Sequence, residues 1–144
     1  MKPPLENIRV SARSREILIN LKRKTGIANW NIICRWALCD SLANPNRPVA
    51  ATGLTESNIE MSWETFAGDY SEILLAIFYK RAEQDGIPSD HHEGAKYFKS
   101  HLERGISQLQ NAKTLRELLA KSLTRLPPTK NGSEAIQALK KMML

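Results

Sequence analysis

Little in this chain could serve metal, redox or membrane chemistry. Of its 144 residues, two are cysteines, three are histidines and seven are glycines. No run approaches the eighteen or so consecutive apolar residues needed to cross a bilayer, and no leader-peptide pattern opens the sequence, so a soluble, cytoplasmic protein without membrane contact is expected. Cys34 and Cys39 lie on one apolar helical stretch, about 7.5 Å apart along its axis and roughly 140° around it. That separation excludes a disulfide and a shared metal, so both read as buried thiols of a reducing compartment. The glycines are dispersed, which excludes a glycine-rich phosphate loop. The histidines gather only at Asp90-His91-His92-Glu93, with His101 further on. Adjacent histidines at a helix start diverge, and His92 and His101 fall on different faces, so the group reads as a solvated helix N-terminus. Tyr70 and Tyr79 read as aromatics at the edge of the core. No catalytic residue, cofactor or metal is therefore expected.

Hydrophobic residues at 42% and charged residues at 25% are ordinary globular values, and the length suits one domain with an appendage. The net charge of +6 is modest, but its layout is uneven. Residues 1–35 carry eight Lys/Arg against Glu6 and Glu16, whereas residues 56–93 carry nine acids against Lys80 and Arg81. Residues 94–144 are basic again, with ten Lys/Arg against Glu103, Glu117 and Glu134. A basic–acidic–basic chain can hold a polyanion at one pole and assemble through charge complementarity at another.

Asn7-Ile8-Arg9-Val10-Ser11 alternates polar and apolar residues and predicts a short strand. Ser11 can cap a helix over 12–24 that is stopped by Gly26, and Asn29 a second one running to about Ala43. Residues 44–58, with Pro45, Pro48 and Gly53, predict a loop. From about Ser62 to Glu83, Phe66, Tyr70, Ile73, Leu74, Ile77 and Phe78 follow one helical stripe. Asp90 and Glu93 resemble a capping box, opening a helix that buries Ala95, Phe98, Leu102, Ile106 and Leu109. Leu115 to Leu123 mark another helix; Pro127-Pro128 breaks the chain, and Ser133 starts a short amphipathic last piece expected to fray or to dock on a partner. The fold class is thus mainly α: a compact helical domain of five to six helices with a short N-terminal strand, at residues 1–110, followed by a basic helical extension at 111–144.

The second helix is apolar almost all round. Two apolar faces imply that the core buries one and a second subunit the other, with Trp30, Ile33 and Trp36 at that interface. Its charge before Asp40 is Arg35, expected to pair with a carboxylate or reach the surface. Ahead of it stands Lys22-Arg23-Lys24, and no acid occurs from Ile17 to Cys39. With Arg9, Arg13 and Arg15 at the same end of a strand–helix–turn unit, these cations predict a patch that binds double-stranded DNA with little regard for sequence.

Pro4-Leu5-Glu6-Asn7-Ile8-Arg9-Val10-Ser11, Leu21-Lys22-Arg23-Lys24-Thr25-Gly26-Ile27 and Trp30-Asn31-Ile32-Ile33-Cys34-Arg35-Trp36-Ala37-Leu38-Cys39 together resemble the DndE family of the bacterial DNA phosphorothioation system. Trp63, Phe66, Gly68, Tyr70 and His101-Leu102-Glu103-Arg104-Gly105-Ile106 extend the likeness, which covers roughly residues 3–110. The resemblance implies a helical, non-catalytic homotetramer that binds DNA, nicked duplex above all, through surface lysines. It also implies sulfur-transfer and ATPase proteins as partners in replacing a non-bridging phosphate oxygen with sulfur, a defence resembling restriction–modification. The family's lysine patch maps best onto Lys22 and Lys24, with Arg23 between them. The alternative is a ribbon–helix–helix regulator, whose strand would pair with a second copy and read an operator through Asn7, Arg9 and Ser11. A nicking nuclease would need clustered carboxylates or convergent histidines, which the sequence lacks.

Overall fold

The computed structural model, which describes residues 1–124 and Lys141, sets a two-stranded antiparallel sheet against a mainly helical body. The elements run β1 (Asn7–Ser11), α1 (Ala12–Thr25), α2 (Trp30–Ala43), β2 (Glu56–Ser62), α3 (Trp63–Ala67), a 3-10 turn (Gly68–Tyr70), α4 (Ser71–Gln84), α5 (His91–Leu109) and α6 (Leu115–Thr124). The expected mainly α class, opened by a short strand, is therefore what the chain forms. The expected break at Pro127 and the last amphipathic piece lie outside the described residues, apart from Lys141.

Local signals set most helix ends. Ser11 accepts the Ser14 N–H, satisfying one of the free donors at the start of α1, and Gly26 at φ 74° ends that helix in the left-handed region. Asp90 caps α5 through the His92 N–H. Asn29 occupies the N-cap position of α2 without a side-chain hydrogen bond.

The centre of the molecule is the α2–α5 crossing. A Cβ on Gly105 would stand 1.8 Å from the Ala37 carbonyl oxygen, so only glycine lets the two backbones meet there. Phe98 packs edge-on against Phe66 and Phe78 at 5.6 and 5.5 Å, joining α3, α4 and α5 in one aromatic cluster. Ala112 and Leu118, from the stretch assigned to the extension, are fully buried in the same core.

Four expectations are corrected. First, residues 56–58 do not continue the loop: Glu56–Ser62 form β2, which pairs with β1 in the register Asn7↔Ser62, Ile8↔Met61 and Arg9↔Glu60. The ribbon that a ribbon–helix–helix dimer builds between two copies is thus made inside one chain. Second, the helix expected over Ser62–Glu83 is two helices, because Gly68 at φ 54° breaks it. The break turns the buried face of α4 to Leu74, Leu75, Phe78 and Ala82, leaving Ile73 and Ile77 exposed. Third, Ile33 and Trp36 of α2 are packed within the protomer, among α5 on one side and α1, α3 and α4 around the rest. Ile33 is fully buried and Trp36 is 4% exposed, whereas Ile32 and Cys39 of the second face are half-buried and Ala43 is exposed. Fourth, Arg35 joins no ion pair among the described residues and is buried; it donates to the Phe66 carbonyl at 3.0 Å and lies 5.5 Å from the Tyr70 ring centre.

Candidate nucleic-acid interface

The α1–α2 turn brings the cationic end of one helix against the start of the next. Lys22 and Arg15 are seven residues apart, about 20° around the helix from each other, and so share one face of α1. Both line a groove of about 580 Å³ whose other side is built by β2 and the start of α2. Within it the Lys22 ammonium stands 4.4 Å from the centre of the Trp30 ring, a cation–π contact. Asn31 and Asn58 contribute amides, and Asn31 Nδ2 donates to the Thr65 carbonyl at 3.0 Å.

The six cations expected to form one patch are not brought to one face. Arg9, on β1, pairs with Glu60 at 2.7 Å and with Glu56 at 3.3 Å, and Glu60 itself lines the groove. Hydrogen bonding to Glu60 raises the Arg9 pKa further above its ordinary value. Arg13 falls about 200° around α1 from Arg15 and borders a second hollow of about 260 Å³ beside Glu103 and Arg104. Lys24, eleven residues after Arg13, shares that side by helical period. Arg23 and Lys24 are exposed at the end of α1, and among the described residues none of Lys22, Arg23 and Lys24 joins an ion pair. Of the residues expected at an oligomer interface, Trp30 is half-buried on the groove wall, whereas Ile33 and Trp36 face the core.

Two arginines outside this patch hold the far end of α2. Arg81 donates to the Leu42, Asn44, Pro45 and Asn46 carbonyls and pairs with Asp85 at 3.0 Å. Arg104 donates from Nε to Ser41 Oγ at 2.8 Å and from Nη2 to the Ser41 carbonyl at 2.7 Å. Cations at the last carbonyls of a helix satisfy its free acceptors and suit the negative end of its dipole. Burial works to raise the Asp85 carboxyl, but the Tyr97 hydroxyl and Arg81 outweigh it and hold the group below its usual range. Burial first, and then Arg104 and Arg81, push His101 down to about 3, so this fully buried ring is neutral.

No three His, Cys, Asp or Glu side chains stand where they could hold a metal ion among the described residues. His91 and His92 are exposed at the start of α5, and His101 is buried on Ser41. Burial pushes the Cys34 thiol up to about 12 and the Cys39 thiol up to about 11, away from reactive thiolate. Among the described residues no helix is long and apolar enough to cross a membrane.

Sequence reasoning placed Trp30 at a subunit interface and missed Asn31 and Asn58. The usable signal was the eight-residue step from Lys22 to Trp30 across the Gly26 turn, which folds the cation back onto the ring. No curated protein sequence matches this chain. The model of the DndE family, described as DNA sulphur modification protein DndE, matches residues 7–117, which take in β1, the whole α1–α2 unit and the groove. With most of its length matched, the chain belongs to the DndE family and so has a role in DNA sulphur modification.

Proposed function

We propose that the chain is a non-catalytic component of this modification system that holds double-stranded DNA through its α1–α2 end. The observation that carries the reading is Lys22-Arg23-Lys24: a run of cations on a rigid helix end, with no ion pair among the described residues and with Arg15 and Trp30 beside it. Cations left free to meet phosphates displace condensed counterions, so affinity is governed by salt rather than by sequence. Arg23 and Arg15 add the bidentate phosphate geometry that lysine lacks.

A nicked duplex is the favoured form in this reading, because a nick lets DNA bend onto separated cationic clusters at lower elastic cost than the roughly 1–6 kcal/mol of a stiff short site. The protein works as a homotetramer alongside the system's sulfur-transfer and ATPase proteins, in the cytoplasm, as part of a defence against foreign DNA. In such an assembly Ile33 and Trp36 act from inside each protomer, while Trp30 is half-buried on the groove wall.

The test is binding by full-length protein to intact and nicked duplexes of one sequence and to a scrambled sequence, each at several salt concentrations. Six to ten phosphate contacts would weaken affinity about a thousandfold or more between 50 and 200 mM salt. Replacing Lys22, Arg23 and Lys24 together with glutamate is expected to abolish binding while helical content and light-scattering mass stay unchanged. Wild-type affinity in that variant would overturn the reading.

A further inference from the structure

We propose that the groove between α1, the start of α2 and β2 is a nucleotide site, in which an unpaired base stacks on the Trp30 indole while Lys22 and Arg15 take the flanking phosphate. The proposal rests on the DNA-binding reading and names the part of the nucleic acid that this groove receives.

The two halves of a nucleotide are an aromatic ring and an anion, and the groove presents a partner for each. Trp36 and Trp63 are core residues at 4% and 5% exposure, whereas Trp30 is half-buried and lines open space. Lys22, 4.4 Å from the Trp30 ring centre, covers that indole in the free protein. A phosphate draws the ammonium off the ring, and a base can then occupy the face it leaves. Stacking on an aromatic side chain tolerates any base, because every base offers a π-face. The Asn31 and Asn58 amides, which line the same groove, can supply donors and acceptors to a base edge. Among the described residues the lining holds one carboxylate, Glu60, which is paired with Arg9 at 2.7 Å; Arg15 pairs with the exposed Glu16 at 3.0 Å, a surface contact of at most about 1 kcal/mol that a phosphate can displace. The volume of about 580 Å³ falls inside the range of about 300–1,000 Å³ typical of small-molecule sites. Lys24 and Arg23, exposed on the same helix end, extend the cationic surface beyond the groove, which suits a nucleotide within a polymer better than a free one.

The experiment compares two duplexes of the same sequence, one fully paired and one with a single unpaired thymine, binding to full-length protein. The wild type is expected to hold the bulged duplex about tenfold tighter and to lose accessible tryptophan emission on binding it. Trp30→Leu should remove that advantage, the bulged duplex losing about tenfold more affinity than the paired one, while Trp30→Phe, which keeps a stacking surface, should retain most of it. Equal wild-type affinity for both duplexes, or equal loss of both in Trp30→Leu, overturns the nucleotide site and leaves DNA binding standing. Failure of the wild type to bind either duplex overturns the DNA-binding reading itself, and this proposal with it. Should Trp30→Leu fail to fold, the wild-type emission decides: quenching by the bulged duplex alone supports the site, and equal quenching by both overturns it.

Discussion

The Lys22 ammonium stands 4.4 Å from the centre of the Trp30 ring, tying the last turn of α1 to the first turn of α2 across Gly26. At a surface such a contact contributes about 0.5–1 kcal/mol, enough to orient the lysine and little enough for a phosphate to displace it.

Lys22→Gln is therefore expected to leave the fold intact while weakening DNA binding uniformly across sequences. If Lys22 meets one phosphate, the slope of log affinity against log salt should become shallower by about 1. Salt titration of both proteins on one duplex checks this. An unchanged slope would remove Lys22 from the contact set.

Gly105 and Gly94 lie on the same helix and should respond oppositely to alanine. A Cβ at Gly105 would stand 1.8 Å from the Ala37 carbonyl oxygen, and backbone cannot give way as a side chain does, so Gly105→Ala should destabilise by about 3 kcal/mol or more. A Cβ at Gly94 meets nothing within 4 Å, and Gly94→Ala should stabilise by about 0.4–1 kcal/mol through the unfolded chain. Urea denaturation of the two variants reads both signs. A Gly105→Ala midpoint at or above that of the wild type would mean that the α2–α5 crossing is looser than its geometry.

What was legible in the sequence was local. Ser11, Gly26 and Asp90 act on residues within one turn of themselves, so their capping roles follow from type and spacing alone. β2 was not legible, because its inward residues Ser57, Ile59 and Met61 alternate with Glu56, Asn58 and Glu60 in a strand too polar to stand out, and its partner lies some fifty residues earlier. The groove inherits that blindness, since Asn58 and Glu60 come from β2. The second face of α2 illustrates the converse difficulty. Periodicity reports that a residue is apolar on its face but not what buries it, and here the protomer's own core takes Trp36, which was expected against a second subunit.

Glu103 reaches α1 from α5 and completes its N-terminus. One carboxylate oxygen accepts the Ser11 N–H at 2.8 Å; the other accepts the Ser11 hydroxyl at 2.8 Å and also the Ser14 hydroxyl. In a capping box this backbone contact is made by a residue of the same first turn; here it comes from 92 positions away. Glu103→Ala should leave these buried donors unpaired and destabilise by about 1–3 kcal/mol, with Glu103→Gln losing less because it keeps an acceptor. Urea midpoints within about 0.5 kcal/mol of wild type for Glu103→Ala would show that α1 does not depend on α5 for its cap.

His101 gives the fold an acid limit. Arg104 can only donate, so Ser41 Oγ accepts from Arg104 Nε, and it shares a second hydrogen bond of 2.8 Å with His101 Nδ1. The ring is neutral, and a second proton would place a further cation beside Arg104 and Arg81 in a buried site. Burial and those arginines lower the folded-state pKa from the ordinary 6.5 to about 3. Between these values the unfolded chain binds the proton and the folded chain does not. The stability His101 confers is therefore complete above about pH 6.5 and is lost as pH falls toward about 3, at up to about 1.4 kcal/mol per pH unit. His101→Gln, which does not titrate, should be less stable than wild type at pH 7.5 by about 1–3 kcal/mol, since a buried hydrogen-bond partner is altered. It should also lose stability more slowly between pH 6 and 4, so that the two curves converge. Urea denaturation at half-unit pH steps measures both slopes, and parallel curves over that window would rule out His101 as the group that sets the acid limit.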